Sequence, residues 1–490
     1  MNHYNLFPFV FKKYAADVLI VNCAGEHYFI GKDEFEKLIS HSLDKNSSVF
    51  KTLKSKFFIY DNQHELCSAV ELLGNQIRTK QRYLLNFTSL HMVEITSLCN
   101  LKCSYCQAST LSFDENKSNK KQNIFKKEVV DKIIEMIFKT VSSSIKIELQ
   151  GGEPLVNWEF CKYLIENSYK KAAEYPHKSV EIILCTNLTL MDNKKLEFLK
   201  KYKVIISTSI DGTKELHDTH RVTYRGKGTY DVFVEKLNLT RNMIGHNNVG
   251  ALLTVTNTNL HRLKEVIDEY VKLKFDGIFI RPLNPYGKAS AMNKITFGYE
   301  VDEFVDEYKK ALDYIIKLNL DGQIFVDYYS SLLIRRILTP FSTGFVDLQS
   351  PAGAGISGAM YDFNGNVYPT DEARMLARMG DNSFCIGNVT SNSYEEIFRS
   401  EKLIDITRSS ILQAIPMCNS CVFNTYCGGD PIRSYIEHGD LIGFMPSSNF
   451  CKKNMLIFNH LFDLIKENNS DIMNVFWSWI NKKNIREIKV

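Results

Sequence analysis

Short apolar runs alternate with longer segments of helical periodicity between residues 90 and 320 of this chain, and this alternation is the strongest constraint on its fold. The runs are rich in Val, Ile and Leu, as expected for strands buried on both faces. Strands that alternate with helices in this way indicate parallel βα units. The expected strands are residues 90–96, 145–150, 180–186, 204–209, 249–255 and 277–281, and the expected helices are residues 126–140, 157–173, 192–202, 230–244, 260–273 and 301–318.

Six such units predict an α/β protein with a partial (β/α)6 barrel over residues 89–320. In βα barrels the functional side chains lie at the carboxyl ends of the strands. The rest of the sequence divides into an N-terminal α+β domain, a bridging segment, a Cys-rich domain that begins where Gly, Pro and Ser become frequent, and a tail. These parts are residues 1–88, 321–348, 349–461 and 462–490.

The N-terminal domain carries a hairpin pattern. Two apolar runs, residues 18–22 and 27–30, flank the turn signal Ala24-Gly25. Helical patterns follow at residues 33–43 and 65–82. The sequence therefore predicts a small sheet followed by helices.

The composition excludes several classes of protein. Hydrophobic residues make up 44% of the 490 residues, which is enough for a large core, and the net charge is only +4. A nucleic-acid-binding protein usually has a basic surplus or stripe, so no nucleic acid partner is expected. No apolar run is long enough to span a membrane and no secretory signal is evident, which predicts a cytoplasmic protein without a membrane partner.

Seven of the twelve cysteines fall into two groups, which in the reducing cytoplasm indicates metal ligands rather than disulfides. Cys99, Cys103 and Cys106 form a C-x3-C-x2-C triplet directly after the first barrel strand. A closed zinc site needs four ligands, so three thiolates suit a [4Fe-4S] cluster with one open iron; a zinc knuckle that lacks a ligand is the alternative. The second group is Cys418, Cys421, Cys427 and Cys451, and the cysteines expected to be small buried residues are Cys23, Cys67, Cys161, Cys185 and Cys385.

The ends of the next strands carry residues suited to a ligand. Gln150-Gly151-Gly152-Glu153-Pro154 ends the second strand, where glycines allow close approach of a ligand and a carboxylate can pair with an ammonium group. The third and fourth strands end in Thr186-Asn187 and Ser209-Ile210-Asp211, and Arg221 follows with a guanidinium suited to a carboxylate. Taken singly, Asn187 and Asp211 are equally well explained as helix caps.

The triplet, with Tyr105 before its last cysteine, and the strand-end motifs in this order resemble the radical SAM superfamily over residues 88–320. The resemblance implies that the triplet binds a [4Fe-4S] cluster that reductively cleaves S-adenosylmethionine to methionine and a 5′-deoxyadenosyl radical, which removes a substrate hydrogen. It also implies that S-adenosylmethionine is contacted by Tyr105, Gly151, Gly152, Glu153, Thr186, Asn187, Ser209, Asp211 and Arg221.

Residues 352–451 resemble the SPASM domain of peptide-modifying radical SAM enzymes, which usually holds two auxiliary clusters. Three ligand positions of the first cluster are lost, because Thr370, Pro431 and the stretch 350–353 stand where cysteines are expected. The resemblance therefore implies one auxiliary [4Fe-4S] cluster on the second cysteine group, with a four-cysteine zinc site as the alternative. Asp371 occupies the position of a general base in sulfatase-maturing relatives; the alternative is a loop carboxylate paired with Arg374 or Arg378.

Four further strings resemble the His-Xaa-Ser system radical SAM maturase family nearly end to end; they are residues 86–93, 281–287, 339–351 and 426–431. This resemblance implies a ribosomal precursor peptide as substrate, a second radical SAM enzyme as partner, and a reductant protein such as a flavodoxin or ferredoxin. The N-terminal domain resembles the winged-helix-like elements that bind leader peptides, with Phe7, Phe9, Val18, Ile20 and Phe29 lining its sheet. The alternative is a structural cap over the open side of the barrel, in which these residues serve only packing.

The expected function is thus modification of precursor-peptide side chains by radical chemistry. The same chemistry on a folded protein, as in sulfatase maturation, or on a small molecule is the nearest alternative. A non-catalytic iron–sulfur or zinc protein that carries electrons or recognises a partner is the alternative from another class. The motifs Gly151-Gly152-Glu153 and residues 209–221 discriminate between these readings, because a mere carrier has no need of them.

Overall fold

The computed structural model describes residues 4–112, 126–291 and 297–488. The ends of the expected N-terminal domain and of the tail, residues 1–3 and 489–490, lie outside the described residues. The N-terminal elements are β1 (Asn5–Leu6), β2 (Phe9–Lys13), β3 (Asp17–Asn22), β4 (His27–Gly31), α1 (Lys32–Ile39), α2 (Ser48–Ser55), β5 (Ile59–Tyr60) and α3 (Gln63–Lys80).

The N-terminal sheet is antiparallel, with β3 between β2 and β4. The predicted hairpin corresponds to β3 and β4. The sequence analysis did not predict β2 or α2, because both are short and neither follows a turn signal such as Ala24-Gly25. Val18 and Ile20 of β3 face the core of the N-terminal unit, whereas Leu19 and Val21 belong to the main core of the protein. The central strand β3 is therefore buried on both faces.

The centre of the protein is a sheet in which seven neighbouring strands run parallel. Six of them follow one another in chain order, as the sequence predicts. They are β6 (Leu90–Thr96), β7 (Ser144–Gly151), β8 (Ser179–Cys185), β9 (Ile205–Ser209), β10 (Val249–Thr254) and β12 (Ile280–Arg281). The expected sixth strand is divided, because β11 (Gly277–Ile278) pairs instead with β13 (Val326–Asp327).

Helices connect these strands and cover the sheet, so that the apolar strand residues form one large core. Ile145, Ile147 and Leu149 are buried at alternate positions of β7 and share one core with the apolar face of α4. The helices are α4 (Lys127–Phe138), α5 (Trp158–Ala172), α6 (Asn193–Lys201), α7 (Lys214–His220), α8 (Tyr230–Ile244), α9 (Leu263–Lys272), α10 (Gly287–Ala291), α11 (Val301–Leu320) and α12 (Tyr328–Leu338).

The Cys-rich domain extends the same sheet. Its first strand, β14 (Gly358–Tyr361), pairs in parallel with β6, and β15 (Asn366–Tyr368) and β16 (Gly387–Asn388) follow in antiparallel order. The C-terminal helices are α13 (Asp371–Arg378), α14 (Tyr394–Phe398), α15 (Glu401–Ser409), α16 (Pro431–His438), α17 (Asn449–Glu467) and α18 (Ser470–Asn481).

One of the predicted domain limits falls within a helix. The limit between residues 461 and 462 lies inside α17, so Cys451 and the start of the tail share one helix. Phe476 and Trp479 of the tail are buried in the main core, which agrees with a packing role. The bridging segment, residues 321–348, contains β13 and α12.

Two of the five isolated cysteines correct the expectation of burial. Cys23 and Cys67 are exposed, because Cys23 lies at the hairpin turn and Cys67 on the outer face of α3, whereas Cys161 is fully buried. In the described part of the chain, no helix combines the length and the apolar character that crossing a membrane requires.

Candidate active site

The cysteine triplet lies on the loop that leaves the carboxyl end of β6, and several parts of the chain hold this loop in place. The N–H of Lys288 donates to the carbonyl of Cys106 (2.9 Å), and the hydroxyl of Ser104 pairs with Nδ1 of His220 (2.7 Å). Cys99, Cys103 and Cys106 all line a cavity of about 280 Å³. The sequence-predicted triplet is therefore assembled around one space.

Gly151 and Gly152 lie against the cysteine loop, and this contact explains why both are glycine. A Cβ on Gly151, whose φ is +132°, would come within 2.3 Å of the carbonyl oxygen of Thr96. A Cβ on Gly152 would come within 2.2 Å of the carbonyl oxygen of Leu98. The two glycines also line the cavity, but the close approach they permit is to the backbone of the loop.

The carboxylate of Glu153 is not among the groups that line the cavity. The side chain is 1% exposed and accepts hydrogen bonds from the Thr186 hydroxyl (2.6 Å) and the Asn187 N–H (2.8 Å). Burial raises the pKa of Glu153 to about 7. The carboxylate thus joins the ends of β7 and β8.

Thr186, Asn187 and Ser209 line the cavity at the ends of their strands. The side chain of Asn187 donates to Oδ1 of Asn100 on the cysteine loop (3.0 Å) and accepts from the N–H of Thr189 (3.0 Å). Asn187 is therefore not a helix cap; it links the third strand to the cysteine loop.

Asp211, Tyr105 and Arg221 form a buried group beside the triplet. The Tyr105 hydroxyl donates to both carboxylate oxygens of Asp211 (2.9 and 2.7 Å), and Nε of Arg221 donates to Oδ2 (3.1 Å). Asp211 is fully buried and does not line the cavity, whereas Tyr105 and Arg221 do. Asp211 therefore orients an arginine that faces the cavity, and its nearby negative charge raises the pKa of Arg221 against the effect of burial.

A second cavity of about 270 Å³ adjoins the first. The two share Glu148, Gln150, Leu252, Arg281 and Asp371 as lining residues, so they lie next to each other along a common wall. The second cavity is also lined by three carboxylate side chains and two basic side chains from later parts of the chain. These residues are Asp347, Glu372, Asp430, Arg433 and Lys453.

Asp371 stands where the two cavities meet, in the first turn of α13. The alternative that pairs it with Arg374 or Arg378 is wrong, because both arginines pair with the buried Glu94 (3.6 and 3.0 Å). Burial and the neighbouring Asp371 raise the pKa of Glu372 well above its ordinary value. The two carboxyl groups also share a side-chain hydrogen bond, so Asp371 and Glu372 form one interacting pair at the junction.

Sequence reasoning missed several ionisable residues of the second cavity. Two of them stand at strand ends, Glu148 near the end of β7 and Arg281 at the end of β12, and their position was a usable signal. The others, Asp347, Asp430 and Lys453, come from loops and helices that the topology of the barrel does not place.

The second cysteine group also converges on one space. Cys418, Cys421 and Cys427 come from the loop before α16, Cys451 comes from the first turn of α17, and the four line a common cavity of about 50 Å³. The Ser448 hydroxyl caps α17 by accepting the N–H of Cys451 (3.4 Å). Around the thiols lie apolar residues such as Phe423, Met455 and Phe458.

The residues at the lost ligand positions have structural tasks. The Thr370 hydroxyl caps α13 by accepting the N–H of Ala373 (3.1 Å). Pro431 begins α16, for which Asp430 is the cap. The Ser350 hydroxyl accepts the N–H of Leu412 (2.9 Å) and donates to the side chain of Gln413 (3.0 Å).

Both cysteine groups suit iron–sulfur clusters. Burial raises the pKa of the Cys103 and Cys451 thiols to about 11, so their thiolates need a strongly cationic partner. Among the described residues, no three His, Cys, Asp or Glu side chains converge as ligands of a single metal ion do. A cluster makes a different demand, because each thiolate binds an iron at its own corner.

Comparisons with known proteins agree with this geometry. The profile of the Radical SAM superfamily matches residues 93–270, and that of the SPASM domain, an iron-sulfur cluster-binding domain, matches residues 357–422. These matches show which cofactors the protein uses. They are a [4Fe-4S] cluster that binds S-adenosylmethionine, S-adenosylmethionine itself, and auxiliary iron–sulfur clusters in the SPASM domain.

The cysteine-type anaerobic sulfatase-maturating enzyme of Clostridium perfringens is 24% identical over 349 residues, which are 70% of this chain and 88% of that protein. Its structure with bound AdoMet and the Cp18Cys peptide has a TM-score of 0.63 at 20% identity and covers 79% of this chain and 99% of that one. Streptococcus suis SuiB bound to its precursor peptide SuiA has a TM-score of 0.53 at 14% identity, with 91% of this chain and 100% of that one covered.

The matched domains contain the cysteine triplet, the strand-end motifs and part of the second cysteine group in the order that the geometry requires. The protein is therefore a radical SAM enzyme with a SPASM domain, related to the anaerobic sulfatase-maturating enzymes.

Proposed function

We propose that this enzyme modifies a side chain of a ribosomally made precursor peptide. The observation that carries the proposal is the pair of adjacent cavities, with the cysteine triplet in the wall of the first and Asp371 in the wall that both share. When bound, the cluster and S-adenosylmethionine supply the radical that removes a substrate hydrogen. A side chain in the second cavity would present its hydrogen toward the first.

In this proposal Cys99, Cys103 and Cys106 hold the cluster that binds S-adenosylmethionine. Tyr105, Gly151, Gly152, Thr186, Asn187, Ser209 and Arg221 form the wall against which that cofactor lies. Arg221 binds its carboxylate, for which a buried and oriented guanidinium is well suited. Glu153 and Asp211 act indirectly, by holding Asn187 and Arg221 in place. The group Cys418, Cys421, Cys427 and Cys451 holds a single auxiliary [4Fe-4S] cluster.

Asp371 is proposed as the general base. It reaches the junction of the cavities, and the buried Glu372 next to it has a raised pKa because of burial and of Asp371 itself. A carboxylate at this point can accept the proton that the substrate loses as its modification is completed.

Two features support a peptide as substrate. The second cavity continues into a third of about 300 Å³, with which it shares Pro282, Asn284, Phe304, Arg433 and Lys453. An extended chain can therefore lie in the outer cavity while one side chain enters the inner one. SuiB, whose fold this chain shares, binds a precursor peptide. The His-Xaa-Ser type of peptide, a second radical SAM partner and a flavodoxin or ferredoxin reductant belong to the same proposal.

The second candidate is a folded protein substrate, since the relative is named as an enzyme that matures a sulfatase. It is favoured by the match over 88% of that relative's length. The N-terminal unit favours a precursor peptide instead, since the exposed edge of a small sheet can take up a leader segment as an added strand. In the described residues β4 has no backbone partner other than β3.

Co-expression with the small peptide encoded beside the gene, followed by tandem mass spectrometry, tests the proposal. The wild-type enzyme should change the mass of the peptide at a defined residue, and replacement of Cys99, Cys103 and Cys106 by Ala should abolish both this change and 5′-deoxyadenosine formation. Cofactor cleavage that persists in the triple variant would exclude the assigned cluster site. Modification of a co-expressed sulfatase, with the peptide unchanged, would favour the second candidate.

The role of Asp371 gives a sharper expectation. Asp371→Asn should reduce modified peptide by about 100-fold or more, since general-base catalysis contributes factors of this order, and should leave 5′-deoxyadenosine formation within about twofold. Asp381→Asn, a change at a partly buried carboxylate just beyond α13 that accepts from Tyr435 (3.0 Å) and lies outside both cavities, is the matched control and should have neither effect. Equal losses of both products in Asp371→Asn would contradict the role.

A further inference from the structure

We infer that Tyr329 and Asn454 are positioning residues that couple the second cavity to the auxiliary site at Cys427. The second cavity, which Tyr329 lines, is called the inner cavity from here on. The inference rests on the proposed function for the identity of the cavity and of the cluster ligand. It concerns two side chains that lie outside every motif of the superfamily discussed above, and it is carried by a chain of hydrogen bonds between two cavities.

Tyr329 forms part of the wall of the inner cavity. It lies in the first turn of α12, is 7% exposed, and packs its ring against Phe279 and Phe345 (ring centroids 5.9 and 6.4 Å apart). Its hydroxyl accepts a hydrogen bond from Nζ of Lys453 (3.3 Å), which also lines this cavity. The same hydroxyl donates to Oδ1 of Asn454 (3.0 Å).

Asn454 continues the connection to the auxiliary site. It is 2% exposed, lines the cavity of the four cysteines, and donates from Nδ2 to Sγ of Cys427 (3.6 Å). It lies one turn after Cys451 on α17, so one helix carries both a thiol of the group and the amide that contacts another. With Oδ1 and Nδ2 both engaged, the amide is held in one orientation.

The consequence is electronic as well as structural. A hydrogen bond donated to a cluster sulfur stabilises the more negative, reduced state, so it raises the reduction potential. Because the amide that donates it is held by Tyr329, a substrate side chain that binds to the hydroxyl of Tyr329 also changes the hydrogen bond at Cys427. Occupancy of the inner cavity and the reduction potential of the auxiliary cluster are therefore linked.

The test is a spectroscopic reduction titration of the auxiliary cluster in the reconstituted full-length enzyme, without peptide. Asn454→Leu removes the donor at nearly constant volume and should shift the potential to a more negative value. Asn454→Asp keeps the acceptor for Tyr329 but not the donor, and should shift it in the same direction. Tyr329→Phe frees the amide and should give a smaller negative shift of the potential. Tyr308→Phe is the control, because it removes a different buried hydroxyl, which bonds to Ser330 (2.7 Å), and it should give no shift.

The second readout is the change in potential when the precursor peptide is added. The wild type should show such a change, and Asn454→Leu and Tyr329→Phe should lose it. Both Asn454 variants with the wild-type potential and a full iron content would overturn the inference, and so would an auxiliary site without any one-electron reduction signal. Uncoupled 5′-deoxyadenosine formation, measured in the wild type and in Tyr308→Phe, tests the proposed function separately, so a failed inference remains distinguishable from a failure of the proposed function.

Discussion

Asp211 shows how a single buried charge can organise a binding site that it does not line. Its carboxylate is fully buried, receives the Tyr105 hydroxyl on both oxygens and pairs with Arg221. Removing one partner of a buried pair leaves the other charge without compensation, which costs more than the pair itself contributes. Arg221 then loses both its orientation and its counter-charge.

Asp211→Asn should therefore weaken the binding of S-adenosylmethionine by about 10- to 100-fold, the equivalent of one charged hydrogen bond of roughly 1.5–3 kcal/mol. Isothermal titration of the reconstituted enzyme under anaerobic conditions measures this affinity, and the iron content should stay at the wild-type level. Asp218→Asn is the control, because Asp218 accepts the N–H groups of Thr229 (2.7 Å) and Tyr230 (2.8 Å) away from the cavity. Unchanged affinity in Asp211→Asn would show that Arg221 does not bind the carboxylate.

At the scale of elements, β4 offers an edge for an added strand. Asn22 of β3 donates to the carbonyl of Glu26, and the alternation of an antiparallel ladder then turns the N–H of Phe29 outward from the sheet. The ring of Phe29 packs against Phe462 of α17 (centroids 6.3 Å apart). Deletion of the whole N-terminal unit is therefore a poor test, because it uncovers part of the main core.

A pair of substitutions at Phe29 separates backbone recognition from packing. Both Phe29→Pro and Phe29→Ala remove the ring, but only proline removes the outward N–H and with it one ladder hydrogen bond to an added strand. Phe29→Pro should bind full-length precursor about 3- to 10-fold more weakly than Phe29→Ala, as measured by fluorescence anisotropy of a labelled leader. Equal affinities of the two variants would argue against leader binding at this edge.

The sequence predicted well where local pattern and chemistry agree. The strands β6 to β10 and the helix α8 were placed to within a residue or so, because buried strands and amphipathic helices have a clear period. The split of the sixth strand and the pairing of β14 with β6 were not predictable, since they depend on contacts between distant segments. The same holds for Glu153, whose partners Thr186 and Asn187 come from the next strand.

For the whole molecule, the number of clusters is the most direct quantity to measure. Three ligand positions of one auxiliary cluster are occupied by Thr370, Pro431 and the segment around Ser350, all engaged in local structure. The reconstituted enzyme should therefore contain about eight irons per chain, from two clusters of four. Cys427→Ala should reduce this to about four, whereas Cys385→Ala, at a cysteine outside both groups, should leave it unchanged.

The number of irons per chain also distinguishes between the alternatives that the sequence left open. About twelve irons would mean that other groups serve as ligands of a third cluster. About four irons together with one zinc would identify the second cysteine group as a structural zinc site. Either result, obtained by metal analysis of the anaerobically purified protein, would contradict the assignment of one auxiliary [4Fe-4S] cluster.

The pairing of β14 with β6 imposes an order of events during synthesis. Leu90 is paired with Gly358, more than 250 residues further along the chain, so the parallel sheet stays open on this side until the SPASM segment has left the ribosome. At 5–20 residues per second this interval is on the order of 10 to 50 s. Throughout it, β6 presents an unpaired edge with Met92 and Val93 among its residues, which is a template for wrong pairing. The yield of native enzyme therefore depends on how quickly translation, or a chaperone, closes this gap.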